Sequence, residues 1–133
     1  MPEAAATERP ATPFERLGGR GVIEAIVDRF YDLMDADPAY AGLRAMHAAD
    51  LAPMRESLSG FLVGWSGGPR DWFEANPGRC MMSVHRPMPI TPELAAQWVD
   101  AMTRAIADAG PDDPEMCRAM GAALSQIARN MAR

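Results

Sequence analysis

The side chains with chemistry to offer are few: two histidines, His47 and His85, and two cysteines, Cys80 and Cys117, in a chain rich in methionine and punctuated by isolated aromatic residues. An imidazole can ligate a metal, move a proton or cap a helix end. The cysteines are too few and too widely spaced for a disulfide framework or a zinc site, so reduced, partly buried thiols are expected. There is no glycine-rich phosphate loop, no HExxH pair, no nucleophile elbow and no cysteine pair at metal spacing. With the hydrolase and nucleotide motifs absent, a lone imidazole is the most reactive group left.

A chain of 133 residues has room for one domain, long enough to bury a core or to wrap a flat apolar ligand. Apolar residues make up 48% and charged residues 23%, a soluble globular composition far from a disordered one. The net charge of −5 and the scattered arginines argue against nucleic acid as a partner. No basic start leads into an apolar run, and no stretch of 18 apolar residues occurs, so a cytoplasmic protein with no membrane partner is expected. The eleven methionines suit an irregular apolar pocket, although Met-rich cores without any ligand also exist.

The elements that must position these groups follow from periodicity and breakers. Residues 1–13 mix alanine, proline and charge without an apolar period and are expected to form a flexible leader, with a single domain over 14–133. Val22, Ile26 and Phe30, flanked by Val27, Tyr31 and Met34, share one helical face, predicting a helix over about 21–35 that stops before Asp37-Pro38. A short helix or turn should cover 37–46. Asp50 can then cap a longer helix carrying Met54, Leu58, Phe61, Leu62 and Trp65, a stripe expected to be core, until Gly67-Gly68-Pro69 ends it. The stretch to Gly78 is expected to be an extended loop. Cys80 to Arg86 has space for one or two helical turns, because Pro87 and Pro89 oppose continuation, so His85 should close a short helix. Thr91-Pro92-Glu93 opens a helix with Leu94, Trp98, Met102 and Ile106 on one face, running to about Asp108. Met116, Met120, Leu124, Ile127 and Met131 mark the last helix. No segment alternates as a strand does.

A haem iron needs one axial side chain, usually a neutral imidazole, together with a large apolar slot and a few polar groups on the opposite face. The chain contains all three, with His85 behind the apolar run Met81-Met82-Ser83-Val84. By pattern alone, a histidine near a helix end is more often a cap or an exposed residue.

The order of segments, however, resembles the group II truncated haemoglobins over about residues 14–131. The resemblance is carried by Phe14-Glu15-Arg16-Leu17-Gly18-Gly19, Ala25-Ile26-Val27-Asp28-Arg29-Phe30-Tyr31, Phe61-Leu62-Val63-Gly64-Trp65-Ser66-Gly67-Gly68-Pro69, His85 and Trp98. It implies an all-α truncated-globin fold, a two-over-two helical sandwich around haem b (iron protoporphyrin IX). His85 would be the proximal iron ligand, and Tyr31 and Trp98 the donors that face a bound ligand. Leu58 falls where that family has an apolar residue above the haem, and Met54, one turn earlier, where it has a small or gate-forming one. Phe30, Phe61 and Leu62 look like pocket lining, and Met82 and Arg86 are counted with them among the expected haem-binding residues. His47 lies near the family's distal-edge position, although extra residues in Leu43-Arg44-Ala45-Met46-His47 leave Met46 as the alternative counterpart. Arg55, Arg79 and Arg86 are the candidates to pair with haem propionates.

The implied function is binding of dioxygen, carbon monoxide or nitric oxide, for oxygen transport or storage. Alternatively, the same donors serve peroxide or nitric oxide dioxygenase chemistry, and the sequence does not choose between storage and catalysis. A reductase partner and the oligomeric state are equally open. Two rival readings stand beside this one: a haem-free helical interaction domain with a Met-rich core, and a six-coordinate haem with His47 or Met54 at the distal position.

Overall fold

The computed structural model describes residues 11–79 and 85–132, and every regular element among them is helical. Helix α1 (Pro13–Leu17) begins where the leader was expected to end. Thr12 and Glu15 form a reciprocal capping box, the Glu15 amide donating to Thr12 Oγ1 at 3.1 Å and the Thr12 amide to Glu15 Oε1 at 2.9 Å. The Phe14 amide also donates to the Ser66 carbonyl at 2.8 Å, so the start of the domain is tied to the end of a distant helix.

Helix α2 (Arg20–Ala36) forms where the periodicity places it and buries Ile23, Ile26, Val27, Phe30, Tyr31, Leu33 and Met34. It stops at Asp37, held extended at φ −94° and ψ 118° by the proline that follows. The expected short segment is a 3-10 turn (Pro38–Tyr40) running into α3 (Ala41–Ala45). Helix α4 (Ala52–Trp65) has Leu51 at its N-cap, and Asp50, one residue further out than a cap, accepts from the Ala52 amide at 3.0 Å. It ends as its glycines require: Gly67 takes φ +106°, and the Gly68 amide donates back to the Val63 carbonyl at 2.8 Å.

The stretch after α4 differs from expectation. In place of an uninterrupted loop it contains α5 (Asp71–Ala75). Trp72 and Phe73 supply the reason, because both rings pack against Phe61 of α4 with centroids 5.4 Å apart, and that burial selects a helical turn which local sequence signals alone did not predict.

Helix α6 (Pro92–Ala109) is capped by Thr91, whose Oγ1 accepts from the Leu94 amide at 3.1 Å, and α7 (Pro114–Met131) by Asp113, which accepts from the Met116 amide at 3.1 Å. Helix α2 packs against both α4 and α6, and α6 against α7, which gives two layers of two long helices. The shared core runs from Ile23, Ile26 and Phe30 through Leu62 and Val63 to Met102, Ile106, Met116, Met120 and Leu124. No helix among the described residues is long and apolar enough to cross a membrane.

Candidate functional site

Helix α2 places Phe30 and Tyr31 side by side and inward, their rings edge to face with centroids 4.9 Å apart. Helix α6 brings Trp98 against Phe30 at 5.3 Å, and the turn after α3 brings His47 edge-on to Tyr31 at 6.0 Å. Three segments distant in sequence therefore converge on one aromatic cluster. Phe61 and Leu62 on α4 are buried, Leu58 is half-buried, and all three join the same core. Met54 does not: it is 38% exposed, which corrects its assignment to the core stripe. It lies on the solvent side of the first turn of α4.

His47 Nδ1 lies 2.9 Å from the Leu43 carbonyl oxygen. A carbonyl can only accept, so Nδ1 carries a proton and donates it to Leu43. Met46, the alternative counterpart, is exposed. His85 is half-buried and is the last helical residue before the turn at 86–88, where its carbonyl accepts from the Met88 amide at 2.9 Å. Arg86 is exposed, and Met82 and Cys80 lie outside the described residues. Cys117 is a free, half-buried thiol whose Sγ donates to the Pro111 carbonyl at 3.4 Å.

Burial pushes the Tyr31 hydroxyl up to about 12, with the Arg55 guanidinium opposing the rise, so the phenol remains a protonated donor across the neutral range. Although Tyr31 is only 2% exposed, nothing among the described residues hydrogen-bonds its hydroxyl, and the Trp98 indole N–H is likewise unused. Polar groups held at an apolar site without a protein partner are poised to donate to something else. The donor set fits haem: an imidazole on one short segment, an aromatic and aliphatic surface, and two uncommitted donors. Among the described residues no group of three or more His, Cys, Asp or Glu could cage a metal ion directly.

Arg55 is not available to a propionate in the way the sequence suggested. Its guanidinium donates to Asp32 Oδ1 at 2.8 Å and to the carbonyl oxygen and Oδ1 of Asp28 at 3.0 and 3.3 Å. Both aspartates lie on α2 beside Tyr31, and their spacing of one helical turn was the signal that could have revealed the pairing. A second arrangement was also missed. The buried Tyr40 hydroxyl donates to Asp100 Oδ2 at 2.5 Å and accepts from Arg104 at 3.0 Å, while Arg104 pairs with Asp37 at 2.8 Å. It joins the turn before α3 to α6, the helix of Trp98.

Two layers of paired helices around an aromatic cluster, with one histidine on the short segment that precedes α6, define a small globin. Residues 12–132 match the model of the bacterial-like globin family, and the chain belongs to that family. Its structural neighbours are truncated haemoglobins. A cold-adapted truncated haemoglobin from the Antarctic marine bacterium Pseudoalteromonas haloplanktis is 31% identical, with a TM-score of 0.88 over 92% of this chain and 98% of that one. A group II 2-on-2 haemoglobin from Agrobacterium tumefaciens is 28% identical, with a TM-score of 0.90 over 96% and 98%. A group 1 truncated haemoglobin from Chlamydomonas moewusii is 30% identical over 74% of this chain, which spans only 53% of that relative's length.

Proposed function

We propose that this globin holds haem b through the imidazole of His85 and binds a diatomic ligand between Tyr31, Trp98 and His47. The observation that carries the reading is the Tyr31 hydroxyl: it sits on a residue only 2% exposed, stays protonated, and makes no hydrogen bond to a described residue, and since no fully buried side-chain polar atom among the described residues lacks a partner, its oxygen still reaches open space. Haem, when bound, would supply an iron able to bind dioxygen, carbon monoxide or nitric oxide.

The chain's own residues do the rest. Phe30, Leu58, Phe61 and Leu62 exclude water, which strengthens every hydrogen bond made inside the slot. Tyr31 and Trp98 donate to a ligand that gathers negative charge, as dioxygen does, and slow its escape. His47, with its Nδ1 proton committed to Leu43, sets its ring edge-on to Tyr31 and borders the same space. Met54 at the exposed start of α4 is placed to gate entry, and Arg86 is the proposed propionate partner. Donors of this kind would also suit peroxide or nitric oxide chemistry, for which the protein would need a reductase as its partner.

The test is the ultraviolet-visible spectrum of the purified protein with equimolar haem in ferric, reduced and carbon monoxide-bound forms. A sharp Soret band that shifts with carbon monoxide, and is lost or broadened in His85→Ala, is expected. No saturable Soret change would overturn the haem function and leave a haem-free helical domain.

A further inference from the structure

We infer that Arg55 is a positioning residue for Tyr31, a clamp that sets the distance and angle between the ligand-facing phenol on α2 and the gate-bearing start of α4. The inference rests on the haem-binding reading above.

The clamp is built from three kinds of contact on one guanidinium. One amino group donates to the Asp28 carbonyl at 3.0 Å and to its carboxylate at 3.3 Å, and the other donates to the Asp32 carboxylate at 2.8 Å. The guanidinium carbon lies 5.8 Å from the centroid of the Tyr31 ring. Asp28 and Asp32 bracket Tyr31 on its own helix, so the fork spans the turn that carries the phenol. Arg55 itself sits between Met54 and Leu58. An ordinary surface ion pair contributes little and has no need of a backbone carbonyl or a ring. Here the Arg55 side chain is 29% exposed, and its planar fork meets two aspartates while covering an aromatic, a geometry that a lysine ammonium cannot reproduce.

The consequence is rotational. With the clamp in place, the Tyr31 ring is fixed from one side by Arg55 and from others by Phe30 and His47. Without it the hydroxyl spends less time aimed at the ligand, and α4 is freer to move Met54 and Leu58 relative to α2.

The experiment measures dioxygen dissociation and carbon monoxide association on the haem-loaded protein for Arg55→Met, Arg55→Lys and Asp32→Asn, each with Tyr31 and with Tyr31→Phe. Arg55→Met should speed dioxygen loss severalfold when Tyr31 is present and leave the rate nearly unchanged in the Tyr31→Phe background. Arg55→Lys should recover only part of the effect, and Asp32→Asn, an exposed and mild change, should shift it in the same direction. Equal effects in both backgrounds would overturn the inference, because Arg55 would then act on the fold and not through Tyr31. A second readout needs no haem: the carbon-13 resonance of the Tyr31 ring in haem-free protein should move and broaden in Arg55→Met. An unmoved resonance also overturns the clamp, whereas a wild-type protein with no Soret band but a shifted ring resonance overturns the haem reading alone.

Discussion

Gly64 of α4 and Phe73 of α5 meet so closely that a Cβ on the glycine would lie 2.6 Å from the phenyl ring. One turn earlier, a Cβ on Gly60 would come within 3.2 Å of Trp72. The two glycines form a notch in α4 that receives α5, and Arg70 closes over the Phe73 ring at 4.4 Å. Because α4 carries Leu58, Phe61 and Leu62, this contact fixes α5 against the helix that presents them to the core. Gly64→Ala should therefore lower stability by about 1–3 kcal/mol, seen as a lower denaturant midpoint with an unchanged slope. Trimming Phe73 to alanine in the same chain should make the glycine change nearly silent. An unaltered midpoint for Gly64→Ala alone would show that α5 yields at no cost.

The two uncommitted donors lead to a prediction about ligand release. Trp98→Phe keeps the ring that packs on Phe30 and deletes the N–H, so dioxygen dissociation should accelerate severalfold to a hundredfold, as a loss of roughly 1–3 kcal/mol allows. Tyr31→Phe should act in the same direction by less than its full worth while Trp98 remains. Stopped-flow displacement of dioxygen by carbon monoxide measures both, and the double variant decides whether they share one ligand: strict additivity of small effects would separate them.

Acid stability follows from two carboxylates. The Ala39 amide, followed by the Arg104 guanidinium, holds the Asp37 carboxyl below its ordinary range. The Met116 amide, followed by Arg16, does the same for Asp113. Each folded-state value lies below the unfolded one, so the stability they contribute is present above about pH 4 and is lost as pH falls through the folded values. Melting temperature should decline below about pH 4, and Asp37→Asn combined with Asp113→Asn should flatten that decline while preserving cap geometry. Parallel acid limbs for wild type and double variant would mean other carboxylates govern it.

What could be read from the residues in order was whatever depends on neighbours in the chain. The long helices α2, α4, α6 and α7, the Thr91 cap, the Gly67 stop, and the inward positions of Phe30, Tyr31 and Leu62 follow from periodicity of 3.6 and from local backbone preferences. The family resemblance added the roles proposed for His85, Tyr31 and Trp98. Tertiary structure alone decided where those faces meet. It turned Arg55 away from a propionate and toward Asp28 and Asp32, left Met54 in solvent at the head of an otherwise buried stripe, and drew Trp72 and Phe73 into a helical turn. The physical reason is the same in each case: a charge selects the nearest oppositely charged group, and an apolar ring the nearest matching hollow. Proximity between residues far apart in the chain exists only once the helices have packed.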